Sequence, residues 1–171
     1  MDKEINQKEL ENRLAKKLHT MFRKIYLRQD GTYESKWKEV SDRDFLEKLD
    51  RNNLPENIRI NDKGVVELDI TNTPYDNLSD DLKEEYKLNA QVAIIGLNCD
   101  AETWLDTIHN AWLERHPQSR GGYLDVPAEQ LQRDESVKYY KLMVLAIETE
   151  QEIMAEKEQA DEKANSDGEG K

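Results

Sequence analysis

The sequence is short of several things, and each shortage excludes a class of protein. A single cysteine, Cys99, occurs in 171 residues. That excludes a disulfide framework and any multi-cysteine zinc knuckle. No apolar run approaches the ~20 residues of a membrane span, so no membrane partner is expected. The charged opening, MDKEINQKEL, does not read as a secretory signal. Basic residues are outnumbered, 25 Lys and Arg against 37 Asp and Glu, for a formal charge of −12. A nucleic-acid binder needs a basic footprint, so no nucleic-acid partner is expected. Catalytic signatures are missing too: there is no Gly-x-Ser-x-Gly, no phosphate loop and no His-Glu-x-x-His. The expectation is a protein that is not an enzyme and uses no cofactor. Apolar and charged residues each make up 36%, which supports one compact domain or two very small ones, cytoplasmic, soluble and mainly helical.

What is present is helical periodicity. Leu10, Leu14, Leu18, Met21, Phe22 and Ile25 recur at spacings of three and four, predicting a helix over 6–28 that Gln29-Asp30-Gly31 stops. A short helix over 42–51 follows, with Phe45, Leu46 and Leu49 on one side. Val66, Leu68 and Ile70 alternate with Glu67 and Asp69, the one good strand signal, and Ile58-Arg59-Ile60 can pair with it across Asn61-Asp62-Lys63-Gly64. Such a hairpin needs helices to pack on. Ser79 reads as the N-cap of a helix to Leu97, with Asp80 and Asp81 favourable in its first turn. A helix over 101–115 is stopped by Pro117, and a last one runs over 134–158. From Glu148 to Lys171 nine acidic residues face three lysines, and the small polar end, ANSDGEGK, predicts a disordered acidic tail over 159–171.

Two stretches align without a gap. Pro74, Leu78, Asp81, Tyr86, Ala93 and Ile94 coincide with Pro127, Leu131, Asp134, Tyr139, Ala146 and Ile147. Upstream, Leu18-His19-x-x-Phe22 matches Ile108-His109-x-x-Trp112. Each half reads as helix, connector, Pro-x-x-x-Leu, helix. The leucine can staple the start of the second helix, and the tyrosine eight residues later can bury its ring and keep its hydroxyl bonded. The predicted architecture is mainly α (small α+β): two helix–connector–helix units packed with pseudo-two-fold symmetry, plus a short β-hairpin. The first unit, with the hairpin insertion, covers 1–100, and the second 101–158.

An aliphatic-His-x-x-aromatic helix, then a loop, then (Val/Thr)-Pro-x-x-x-Leu leading into a second helix resembles the ryanodine-receptor repeat, which small bacterial and phage proteins also carry. The matching residues are Leu18, His19, Phe22, Thr73, Pro74, Tyr75, Leu78 and Lys83-Glu84 in one half, and Ile108, His109, Trp112, Val126, Pro127, Leu131 and Glu135 in the other. In place of the family's Gly-Trp-x-x-Gly turn stands Gly121-Gly122-Tyr123. The resemblance implies a binding module without catalysis, and a nucleotide-derived ligand.

The candidate ligand-binding residues are His109, Trp112, Arg115, His116, Arg120 and Tyr123. Stacking surfaces from Trp112, Tyr123, Tyr139 and Tyr140, with Arg115 and Arg120 for a phosphate, are what a nucleotide requires. The competing interpretation is core aromatics with snorkelling arginines. His109 and His116, even with Cys99, Asp100 or Glu102, match no zinc spacing, so no metal is assigned. His19 and His109 are expected to be partly buried, each bonding a loop carbonyl. The two functional expectations are a small-ligand binding module and an acidic protein-interaction or inhibitory protein, in the extreme case a nucleic-acid mimic.

Overall fold

A computed structural model describes residues 6–100 and 102–169. Among them are five α-helices: α1 Gln7–Ile25, α2 Arg43–Glu47, α3 Asp80–Leu97, α4 Trp104–Arg115 and α5 Arg133–Glu169. Three strands, β1 Trp37–Glu39, β2 Ile58–Ile60 and β3 Val66–Asp69, form an antiparallel sheet in the order β1-β3-β2. The architecture is mainly α with a small sheet, as the periodicities predict. No described helix is long and apolar enough to cross a membrane.

The β2–β3 hairpin turns as expected. Gly64 takes φ +77°, and the Asn61 carboxamide accepts from the backbone N–H groups of Lys63 and Val65. Val66 and Leu68 face the core at 3% and 1% exposure. The third strand, β1, is an addition to the predicted hairpin. Trp37-Lys38-Glu39 shows no apolar alternation. Its place is set by pairing of Trp37 with Asp69, by the Val40 N–H to Val66 carbonyl bond, and by the Arg59 guanidinium 4.3 Å from the Trp37 ring centre.

Helix termini are fixed largely by side chains. Asn6 accepts from the N–H groups of Lys8 and Glu9 at the start of α1, and Gly31, at φ +87°, lies in the turn beyond its end. At α3, Ser79 supplies the first carbonyl, but the Asp80 N–H is capped by Asp42, whose other oxygen caps Asp44 at the start of α2. Asp81 returns the contact by accepting from the N–H and hydroxyl of Ser41.

The chain divides into two compact units. One is Ala15–Lys87; the other joins the start of α1, up to Leu14, with everything from Leu88 onward. This division falls elsewhere than the predicted halves 1–100 and 101–158. The first turns of α1 belong with the later helices because Arg13 bonds Glu156 of α5 at 2.8 Å and Gln91 bonds Glu11. The acidic segment also differs from the predicted disordered tail. α5 continues through it to Glu169, while 170 and 171 lie outside the described residues. Ala, Glu, Gln and Lys dominate the continuation, and neither Gly nor Pro occurs between Arg133 and Asp167 to end a helix.

Candidate functional site

Each unit holds a histidine buried in the same setting. In the Ala15–Lys87 unit, His19 of α1 is 1% exposed. Its Nε2 lies 2.8 Å from the Thr73 carbonyl and its Nδ1 3.0 Å from the Tyr86 hydroxyl of α3. In the other unit, His109 of α4 is fully buried, with Nε2 2.7 Å from the Val126 carbonyl and Nδ1 2.7 Å from the Tyr139 hydroxyl of α5. A carbonyl only accepts, so Nε2 carries the proton in both rings. In the neutral ring Nδ1 then accepts from the tyrosine. Burial, with Glu85 and Glu135 nearby, pushes both tyrosine hydroxyls far above the usual phenol range, which keeps them donors.

The carbonyl is available because a proline follows it. The ring restricts the preceding residue to extended backbone and cannot donate in a helix. Both prolines take nearly the same conformation, φ −59° and ψ 150° at Pro74, φ −55° and ψ 148° at Pro127. Each opens a single 3-10 turn closed by the leucine N–H, Leu78 onto Tyr75 and Leu131 onto Ala128. The histidine thus clasps the start of the second helix of its unit from the first.

Burial holds His19 below its ordinary titration range; the Thr73 bond opposes this and Arg23 adds to it. An unfolded histidine takes up a proton near pH 6.5 while the folded His19 is still neutral. Folding stability is therefore expected to fall as pH drops below about 6.5, levelling off once the folded ring also protonates. Urea midpoints across this interval check it, and His19→Gln should flatten the slope.

Of the six candidate ligand residues the structure brings only Trp112 and His116 together. His109 is taken up by its clasp. Trp112 and His116 stack on each other, centroids 4.2 Å apart at 15°, and His116 Nδ1 lies 2.8 Å from the Trp112 carbonyl. Arg115 reaches the Gln91 carboxamide at 3.4 Å. Arg120 pairs with Asp125 at 3.4 Å, and Tyr123 is 77% exposed. Tyr139 is a core clasp residue, whereas Tyr140 packs on Trp104, centroids 4.8 Å apart. Among the described residues, no three His, Cys, Asp or Glu side chains cluster as a metal site.

Two concavities lie elsewhere. In the Ala15–Lys87 unit a polar cleft of about 630 Å³ is lined by Ser35, Trp37, Asn57 and Asp69. Most of its groups are committed: Asp69 accepts from the Lys36 N–H, Thr71 and Asn72, and Arg59 covers the Trp37 ring, while Glu56 also lines the cleft. In the other unit an open groove of about 620 Å³ runs along α5, with Tyr140, Val144 and Ile147 on one side and Leu97 and Trp104 on the other. This groove adjoins a larger apolar face. Val137, Tyr140, Val144, Ile147 and Met154 of α5 are 36–55% exposed. Their spacing of three, four, three and seven is legible in the sequence, but Tyr139, Leu142, Met143 and Ala146, the buried stripe of the same helix, lie among them and mask it.

Comparison with known protein families, with curated proteins and with solved structures finds no match to this chain.

Proposed function

We propose that this chain is a non-enzymatic binding module of ryanodine-repeat type, duplicated within one chain, and that it works by contact with protein through the outer face of α5. The twin histidine clasps support the repeat assignment: the histidine, the tyrosine and the carbonyl just before the proline carry the same bonds in both units. The observation that carries the interaction reading is the row of five exposed apolar side chains on α5 beside an apolar groove. Contiguous apolar surface of this kind marks an interaction site. A nucleotide-derived ligand at 109–123 is less well supported, because Arg120 is neutralised by Asp125 and Trp112 is stacked on His116.

A photoactivatable amino acid in place of Val144, irradiated in the cells that make the protein, should give discrete protein adducts. The same group at Lys63, in the exposed hairpin turn, should give none. Absence of adducts at 144 would overturn the reading. So would a thermal shift with nucleotides, cyclic nucleotides or nucleotide sugars that Arg115→Ala abolishes; ligand at ~100 times its dissociation constant adds about 2.7 kcal/mol, a shift readily seen.

A further inference from the structure

The outer face of α5 has a pattern that selects its occupant. Val137, Tyr140, Val144, Ile147 and Met154 follow the a and d positions of a heptad, with Gln151 at the remaining a position. At 1.5 Å per residue, the seam from 137 to 154 is about 26 Å long. The flanking e positions are Lys141 and Glu148, both exposed, and among the described residues neither has an ion-pair partner in its own chain. Charge divides along the helix. From Arg133 to Ile147 there are three basic and two acidic residues; from Glu148 to Glu169 there are nine acidic and two basic.

From this the geometry points to a second copy of the same chain as the occupant, with the two α5 helices antiparallel about a two-fold axis between Val144 and Ile147. The inference rests on α5 being the interaction face. In this register a positions meet d positions across the seam: Val144 packs on Ile147 of the other copy, Tyr140 on Gln151 and Val137 on Met154. The e positions meet each other, so Lys141 of each copy faces Glu148 of the other, giving two symmetric opposite-charge pairs. The acidic half of each helix lies along the less acidic half of its mate. Parallel pairing lays the two acidic halves side by side and brings no opposite e and g charges together, since the g positions at 136 and 143 are Ser and Met. A two-fold contact is self-complementary, which is what one seam carrying both charges supplies.

Sedimentation velocity on the full chain over a broad concentration range should show reversible conversion to twice the 20.0 kDa monomer mass. Lys141→Glu and Glu148→Lys should each weaken dimerisation about ten-fold, because two attractive pairs become repulsive. The double swap, Lys141→Glu with Glu148→Lys, should restore it. Val144→Asp with Ile147→Asp should give monomer of unchanged circular dichroism. A wild-type chain that stays monomeric throughout overturns the self-pairing, as does a dimer that the single charge swaps leave unchanged. Adducts at 144 with a different protein, in a chain that stays monomeric, would overturn the self-pairing and keep α5 as the interaction face. No adduct at 144 of any kind would remove both.

Discussion

His109→Ala is expected to lower folding stability by about 3 kcal/mol or more, since it leaves the Val126 carbonyl and the Tyr139 hydroxyl without partners in a buried site. A buried group stripped of its partner costs its full desolvation, and this substitution strands two at once, besides removing a fully buried ring. A denaturation midpoint at pH 7.5, followed by circular dichroism, measures the loss. Tyr139→Phe removes only one of the two bonds and should cost about 1–2 kcal/mol. His109→Ala with Tyr139→Phe should then cost less than the sum of the single changes, because the same bond is counted in both. Strict additivity would show that ring and hydroxyl do not act as one device.

Gly96→Val should destabilise by a similar amount, about 3 kcal/mol. Gly96 lies inside α3, where glycine is normally a liability and alanine should gain about 1 kcal/mol. Here the sign reverses. A Cβ at 96 would sit 2.5 Å from Cγ2 of Ile108 on α4 and 2.6 Å from Sδ of Met143 on α5. The Met143 thioether can swing aside. The Ile108 methyl cannot, because it branches next to the backbone of a fully buried residue. Adding a side chain therefore pushes α4 off α3. Even Gly96→Ala should lose stability, and a gain in its thermal midpoint would show that the helices can part. Since Gly96 lines the α5 groove, the substitution also deforms the proposed interaction face.

Local patterns made the helices legible. Leu10 and Leu14 announce α1, and Leu82, Ala90 and Ala93 announce α3, because a helix that buries one stripe must write it at spacings of three and four. The parts of the clasps were legible for a different reason, though the bond from tyrosine to histidine was not. Matching His19 with His109 and Tyr86 with Tyr139 required two copies to compare, and a lone buried histidine gives no such cue. What escaped was nonlocal. β1 is held by β3, some 30 residues away, rather than by alternation in Trp37-Lys38-Glu39. Likewise the α3 cap comes from Asp42, while local spacing pointed to Ser79. The candidate ligand cluster at 109–123 grouped residues by chain proximity. Folding keeps only Trp112 and His116 together, stacked on each other, and sends the His109 side chain into the core and Tyr123 to the surface. The α5 face was hidden by its own neighbour, because two apolar stripes on one helix read together as a helix that is simply apolar.

The two clasps close loops of very different size. The histidine and the carbonyl it binds are 54 residues apart in one unit and 17 in the other. Loop-closure entropy grows only logarithmically, so this difference amounts to about 1 kcal/mol. The segment between histidine and proline thus differs widely in length under the same fastening. One copy carries a three-stranded sheet there and the other a short crossover, with the fastening unchanged. Lengthening the 117–125 stretch would therefore enlarge a loop whose two ends are already fastened, at an entropic cost that rises only slowly with length.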